Sequence, residues 1–374
     1  MSKLPFAIVT LLGLAACCQN NAAAGSDNDT IPSEPDSADL LFVGDAMQHG
    51  PQLKQALQEG GGKYYDYSRC FALVAPIVQQ ADYAVVNLEV PLGGGPTYHG
   101  YPNFSAPDAY AIALRDAGFD LFLTSNNHCL DSGMKAARRT LTALDSIGVD
   151  HIGTYSTTAQ RDSLAPLIKN INGIKFAFLN YTYGTNGIPP RDGMEVALID
   201  RDRMAAEIEK SRKKGAEIVC VTVHWGLEYM MHENESQRDL AGFLIDRGAD
   251  MIIGAHPHVI QPMQVVRNEK ENKDVLVVYS LGNFLSNQND TDSRGGAMVK
   301  AHVERDSTGR ATFRTATYDL HFTSKPTGRN TNYRVIPSRY ADSIPAQYTR
   351  TWEMFQRNAR KVLDECNVNV PYAK

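Results

Sequence analysis

Short apolar runs rich in Val, Ile, Leu and Phe, with little apolar–polar alternation, recur through the first three quarters of the chain, and each ends in polar residues. Residues 40–43 run into Gly44-Asp45, 83–86 into Asn87-Leu88-Glu89, and 120–124 into Ser125-Asn126-Asn127-His128. Residues 218–223 give way to His224-Trp225-Gly226, 251–253 to Gly254-Ala255-His256-Pro257-His258, and 275–279 to Ser280-Leu281-Gly282-Asn283. Such runs predict strands buried on both faces. A further strand is expected over 174–179, with no site residue assigned to its end. Helical periodicity covers 52–58, 69–80, 106–117, 133–147, 201–214 and 236–247, several of these ending at Gly.

Strands alternating with helices predict an α/β class domain in which helices cover a largely parallel or mixed sheet. Ligands in layered α/β folds bind beyond the carboxyl ends of the strands. Two carboxylates, several amides and four histidines are therefore expected to converge on one cleft. After residue 291 the pattern changes: 297–303 and 311–322 alternate as strands with one solvated face, and 323–332 is a Pro/Gly/Asn-rich loop. Pro345 is placed to open a last helix on which Tyr348, Trp352, Phe355 and Val362 share a face.

The first forty residues follow another logic. Lys3 precedes an apolar stretch, 6–16, too short to span a bilayer. It ends in Leu14-Ala15-Ala16-Cys17, which resembles a bacterial lipobox, so 1–16 is read as a lipoprotein signal peptide and Cys17 as the lipid attachment site. An ordinary secretory signal with Cys17 as a bystander is the alternative. Residues 17–39 hold one large aliphatic residue, Ile31, and are expected to form a flexible tether. The expected location is outside the cell or in the periplasm, on a bacterial membrane, which disfavours an intracellular phosphatase. Domain boundaries are set at 40–290 for the main domain and 291–374 for C-terminal strands and a helix that complete or cover it.

With 43% hydrophobic and 21% charged residues, the 374-residue chain has an ordinary globular composition, and its net charge of −5 gives no reason to expect nucleic acid as a partner. Cys70, Cys129, Cys220 and Cys366 have no CxxC spacing, which argues against a thiolate metal site and leaves a disulfide between distant members open. Cys220, inside an apolar run, reads as a buried thiol.

Imidazoles, carboxylates and amide oxygens are the donor types that hold Zn²⁺, Mn²⁺ or Fe. On an extended segment His256 and His258 point the same way and face one metal cluster. Asp45 and Glu89 are placed to neutralise or bridge cations, Asn127 to ligate through its oxygen, and His128 to protonate a leaving group. Singly, each has an ordinary explanation: an Asp after a strand caps a helix, Asn-Asn makes a turn, and His224 beside Trp225 packs in a core. The joint occurrence at six strand ends is what points to one polar site.

These motifs together resemble the CapA family of capsule or poly-γ-glutamate biosynthesis proteins, related to calcineurin-like metallophosphoesterases. The series runs from Gly44-Asp45 through Asn87-Leu88-Glu89-Val90-Pro91-Leu92, Asn126-Asn127-His128 with Asp131, and His224-Trp225-Gly226 with Glu228, to His256-Pro257-His258 and Ser280-Leu281-Gly282-Asn283-Phe284. The resemblance implies a four-layer α/β/β/α sandwich of metallophosphoesterase type with a C-terminal β/helical extension. It further implies one or two divalent metal ions (Mn, Zn or Fe), with Asp45 and His258 on one, Asn127, His224 and His256 on the other, and Glu89 between. His128 and Asp131 would be catalytic, and Asn87, Asn126, Trp225, Glu228 and Asn283 would line or support the site. The phosphoesterase motif Asp-x-His appears here as Asp45-Ala46-Met47, and Gly-Asp as Leu88-Glu89. His49 is close enough in sequence to replace the missing imidazole, but is expected at the surface.

The expected function is capsule or poly-γ-glutamate-type polymer biosynthesis or processing, through metal-dependent hydrolase or transferase-like chemistry. The alternative is a non-catalytic factor that binds, tethers or exports the polymer through a degenerate metal site. The expected partners are an anionic cell-envelope polymer or its precursor, and the membrane through the N-terminal lipid.

Overall fold

The computed structural model describes residues 36–328 and 332–373. The expected signal peptide, Cys17 and all of the expected tether before residue 36 lie outside the described residues. The strands are β1 (Ser37–Ala46), β2 (Tyr83–Leu88), β3 (Leu121–Leu123), β4 (Asp150–Ile152), β5 (Thr154–Tyr155), β6 (Leu167–Ile171), β7 (Ile174–Thr182), β8 (Glu195–Val196), β9 (Ile218–His224), β10 (Met251–Ala255), β11 (Met263–Asn268), β12 (Lys273–Val278), β13 (Asn283–Leu285), β14 (Gly295–Arg305), β15 (Ala311–Ser324) and β16 (Arg334–Pro337). The α-helices are α1 (Gly50–Glu59), α2 (Ser68–Phe71), α3 (Ala75–Val78), α4 (Asp108–Ala117), α5 (Gly133–Ile147), α6 (Thr158–Leu164), α7 (Arg201–Lys213), α8 (Glu235–Asp246) and α9 (Thr349–Cys366). β1 therefore takes in the last three residues, 37–39, of the expected tether.

Two sheets carry the fold. The first has the order β16-β15-β14-β1-β2-β3-β4 with β13 alongside the end of β1, and the second β11-β12-β10-β9-β7-β6. β1 to β4 are parallel, as are β7, β9, β10 and β12; helical crossovers return the chain to the same end of each sheet, except between β10 and β12, where β11 makes the return. Antiparallel strands close the remaining edges, β14 to β16 on the first sheet and β6 and β11 on the second.

Three apolar layers follow from strands that are apolar on both faces. Leu40 and Phe42 of β1 point inward to meet Ile218 and Cys220 of β9, forming the core between the sheets. Leu41 and Val43 point outward against residues of α1 to α4, including Phe71, Tyr110 and Leu114. On the other side Val219, Val221 and Val223 of β9 meet Met204 and Ile208 of α7 and Leu240 and Leu244 of α8. The architecture is a four-layer α/β/β/α sandwich, each large apolar side chain contributing about 1.5–3 kcal/mol by burial.

Three expectations change. The single helix over 69–80 is split into α2 and α3, with Pro76 in the first turn of α3, where its missing N–H does no harm. β15 alternates only in its first half; from Tyr318 onward every residue is buried, including the outward-facing Asp319, His321 and Thr323. The last helix starts at Thr349 after a 3-10 turn, Ala346–Tyr348, and Trp352, Phe355 and Leu363 join the core between the sheets. Cys70, Cys129, Cys220 and Cys366 are free thiols. No helix among the described residues is long and apolar enough to cross a membrane.

Candidate metal centre

The carboxyl ends of β1, β2, β3, β9 and β10 deliver their polar residues to one place. β1 can approach the 281–283 turn only because residue 44 is glycine: a Cβ there would lie 1.8 Å from the Gly282 carbonyl oxygen. That approach lets the Asp45 N–H donate to the same oxygen at 3.0 Å. The Asp45 carboxylate, fully buried, accepts from Asn87 Nδ2 at 2.7 Å, lies 3.0 Å from His258 Nδ1, and accepts from the His256 N–H at 3.3 Å. Burial alone would raise its pKa. The His258 and His224 imidazoles and the Asn87 amide outweigh that and hold it at about 2.

Glu89, also fully buried, sits between the histidines, with Oε1 3.4 Å from His224 Nε2 and 4.0 Å from His258 Nε2. Neither of its oxygens has a hydrogen-bond partner, nor does the buried Nδ1 of His256. Burial and the Asp45 charge push Glu89 well above the ordinary carboxylate range. Burial pulls His224 to about 3, and burial plus the neighbouring His224 and His258 pulls His256 to about 2, so both are neutral imidazoles. For His258 burial acts the same way but the Glu89 and Asp45 charges prevail, raising it to about 9.

Two donor groups emerge, Asp45–Glu89–His258 and Glu89–His224–His256, each with its donor atoms within 4.8 Å of one another and with Glu89 common to both. The neutral imidazoles of His224 and His256 plus a buried carboxylate with both oxygens unpartnered fit a divalent cation, and the nitrogen content favours Zn, Mn or Fe over Ca or Mg. A third group, Glu228–His256–His258, includes the exposed Glu228 at the rim. Asn127 Oδ1 lies 3.0 Å from His224 Nε2, within reach of the same cluster.

The two histidines of His-Pro-His reach the cluster in an unexpected way. β10 stops at Ala255, and His256 and His258 have φ of +100° and +59°, so a left-handed turn and not an extended segment aims both rings inward. Such conformations cost a non-glycine residue roughly 1–3 kcal/mol each and persist where packing over-determines them. Here the Trp225 N–H donates to the Ala255 carbonyl and the Tyr229 N–H to that of Pro257.

His128 lies on the loop from β3 to α5. Its Nδ1 is 2.7 Å from Asp131 Oδ2 and 3.4 Å from Asn186 Nδ2, and its ring meets Phe104 edge-on at 4.7 Å. Burial would lower its pKa; the hydrogen bond to Asp131 and the Glu89 charge raise it above the ordinary value. Asn126 fixes this loop, accepting from the His128 N–H at 3.2 Å and donating to the Leu88 carbonyl at 2.9 Å.

Some expected residues do other work. Trp225 turns away from the cluster, donating through Nε1 to the Tyr279 carbonyl at 2.9 Å within the outer core. Asn283 donates to Gln288 Oε1 at 2.7 Å and to the Ser293 carbonyl at 2.9 Å, so it braces the following loop. Met47 is packed in the outer core beneath α1, leaving no imidazole at that position. His49 is not the surface residue expected. It is largely buried at the N-cap of α1, its N–H donating to Gln52 Oε1 at 2.8 Å and its Nδ1 accepting from Asn287 at 3.3 Å.

Sequence reasoning missed Tyr183 and Asn186. β7 runs three residues beyond 179, and Tyr183 directly after it lies 4.6 Å from the His256 ring while 49% exposed. Asn186 also accepts from Asn127 Nδ2 at 3.3 Å. The available signal was the polar Asn180-Tyr181-Thr182-Tyr183 ending of that strand, the same ending that marked the others.

Residues 39–288 match the family described as bacterial capsule synthesis protein PGA_cap. The chain is 30% identical over 291 residues to the PGA biosynthesis protein CapA of Bacillus subtilis, covering 75% of this chain and 71% of that one. It is 30% identical over 285 residues to the capsule biosynthesis protein CapA of Bacillus anthracis, covering 74% and 66%. Among solved structures, the NAD nucleotidase NadN of Haemophilus influenzae aligns over 88% of this chain and 61% of its own, with a TM-score of 0.44 and 11% identity.

Proposed function

Because the chain belongs to the bacterial capsule synthesis family PGA_cap, we propose that it is a metal-dependent hydrolase or transferase acting on an anionic, amide-linked envelope polymer of the poly-γ-glutamate type. It would work on a bacterial membrane, facing the periplasm or the exterior, held by lipid on Cys17. The observation that carries the catalytic reading is Glu89: a buried carboxylate with neither oxygen hydrogen-bonded, shared by two imidazole-containing donor groups, with His128 alongside.

Asp45, Glu89 and His258, and Glu89, His224 and His256, are the residues that would hold metal, with Asn127 adding an amide oxygen. When bound, such ions polarise a carbonyl or phosphoryl oxygen and activate water. Asp45 is kept ionised by Asn87 and His258, and Asn126 keeps His128 at the cleft wall. Asp131 orients the His128 ring, so that Nε2 is the atom placed to give a proton to a leaving amine or oxygen.

A second reading, a polymer-binding or export factor without catalysis, is favoured by one observation: Met47 is a core residue where a further imidazole is expected. Metal analysis of the purified protein together with turnover of a γ-linked glutamate polymer separates the two. Bound metal with hydrolysis that His128→Ala abolishes, metal being retained, supports the enzyme. Binding of the polymer with no turnover in any metal supports the second reading.

A further inference from the structure

The basic residues of the C-terminal segment divide by their partners. Lys300 pairs with Asp39 at 2.6 Å, Arg305 with Glu217 at 2.5 Å, and Arg314 with Glu304 at 3.4 Å. Arg310 donates to the Glu271 carbonyl at the turn of the β14–β15 hairpin. Arg294 and Lys325, like Arg310, have no carboxylate within ion-pair distance among the described residues, and their hydrogen bonds go to neutral oxygens. Arg294 Nε and Nη2 donate to the Thr323 carbonyl at 3.3 and 3.0 Å, and Lys325 Nζ donates to the Asn287 carbonyl and Asn289 Oδ1 at 2.7 and 2.6 Å.

Their position is not arbitrary. Arg294 immediately precedes β14 and Lys325 immediately follows β15, so both sit at the open end of the hairpin. β1 runs antiparallel to β14, with Ser37 opposite Glu304 and Phe42 opposite Val299, so this is the end to which β1 brings Asp45. One loop separates the cation pair from the metal centre. Gln288 donates to the Tyr229 hydroxyl at 3.2 Å, and the Tyr229 ring is 6.1 Å from that of His258. The adjacent Asn287 carbonyl and Asn289 hold Lys325 on the other side.

Two like charges, Arg294 buried and Lys325 partly so, with no counter-ion are destabilising unless something anionic compensates them. The burial of Lys325 and the nearby Arg294 charge draw its ammonium down to about 8, and burial lowers Arg294 as well. The Arg294 guanidinium carbon lies 4.9 Å from the Phe322 ring centre and 4.6 Å from that of Tyr348. A guanidinium held by these rings and by the Thr323 carbonyl is pre-organised to meet a planar carboxylate through its remaining N–H groups.

We propose that Arg294 and Lys325 form an anion subsite beside the metal centre, where they grip a carboxylate on a neighbouring unit of the acidic polymer strand whose reacting bond occupies the cleft. This rests on the substrate class proposed above and adds the residues that select it. The subsite needs no metal. It sets register: holding one carboxylate fixes which backbone bond faces His128.

The test is binding of a fluorescent γ-linked glutamate decamer to the full chain in detergent, with EDTA and with Mn²⁺, beside polyphosphate of matched charge. Lys325→Gln is expected to weaken decamer binding about tenfold and to flatten its salt dependence in both conditions. Lys325→Arg should restore binding, and Arg294→Gln should weaken it further. Unchanged denaturation midpoints for the Lys325 variants exclude a folding cause. If wild type binds the decamer and Lys325→Gln binds equally well, the subsite is wrong while the proposed substrate class stands. If Lys325→Gln loses only polyphosphate, the subsite serves phosphate and the carboxylate assignment is overturned. If wild type does not bind the decamer in either condition, the substrate class itself falls, and the subsite with it.

Discussion

His128 Nδ1 and Asp131 Oδ2 lie 2.7 Å apart, with both side chains almost wholly withdrawn from solvent. Asp131 also accepts from the Phe104 N–H at 2.9 Å, so the carboxylate is fixed from two sides and the imidazole cannot rotate without breaking this pair. The arrangement commits Nδ1 to Asp131 and leaves Nε2 for chemistry.

Asp131→Asn removes the acceptor that sets the His128 tautomer while touching no proposed metal ligand. Turnover of a glutamate polymer is expected to fall by about 10²- to 10⁴-fold, the usual worth of a positioned acid. Metal content should be unchanged by elemental analysis. Wild-type rates in this variant would remove His128 from the mechanism.

Glu89→Gln separates stability from metal binding. Both Glu89 oxygens are buried without hydrogen bonds, and the adjacent Asp45 repels a second negative charge. A glutamine amide can donate to Asp45. In EDTA the variant should be more stable than wild type by about 1–3 kcal/mol. With Mn²⁺ or Zn²⁺ the order should reverse, because the bridging carboxylate is gone. Denaturation curves in the two conditions decide it, and a variant less stable in EDTA would contradict the electrostatic reading.

Phe355 on α9 is 1% exposed and packs against Phe322 and Trp352 at the edge of the core between the sheets. Phe355→Ala should cost about 3–5 kcal/mol through lost burial and a residual cavity. The shift in urea midpoint measures this. A shift below 1 kcal/mol would show that α9 docks only loosely.

His321 is expected to give the protein a pH dependence away from the candidate metal centre. It is fully buried against Phe284, neither ring nitrogen has a hydrogen bond, and burial lowers its pKa to about 3. In the unfolded chain the same group has a pKa of about 6.5. Between those values only the unfolded state takes up the proton, so this contribution to stability is complete above pH ~6.5 and is lost as pH falls toward 3, at up to about 1.4 kcal/mol per pH unit. His321→Leu should flatten the acid limb of stability against pH. Parallel wild-type and variant curves would rule out this titration.

Strand interiors and their polar endings were legible because each is a local property. A strand covered on both faces must be apolar throughout, so 40–43, 83–86 and 218–223 announce themselves, and the first hydrophilic residue marks the exit from the sheet. Helix α5 likewise matches its reading of 133–147, with Gly148 in the left-handed conformation that ends it. The merged helix over 69–80 was misread because its apolar face is continuous across the break. The alternation of β15 did not show that its outward polar face would be covered by Phe284 and Arg294, more than twenty residues away in sequence.

Sequence composition and spacing thus settled the central strands β1, β2, β3, β7, β9, β10 and β12, the end of most of them that carries chemistry, and the donor types available, since these depend on neighbours along the chain; the short and edge strands β4, β5, β6, β8, β11, β13 and β16 were not legible. Partnership was decided by packing. Nothing local tells that Asn186 reaches His128, that Tyr183 lies against His256, that Trp225 turns to the core, or that Arg294 and Lys325 bond only neutral oxygens. Those outcomes depend on how parallel crossovers bring distant strand ends to one edge, and on the left-handed turn that aims His256 and His258 inward against the preference of their own backbone.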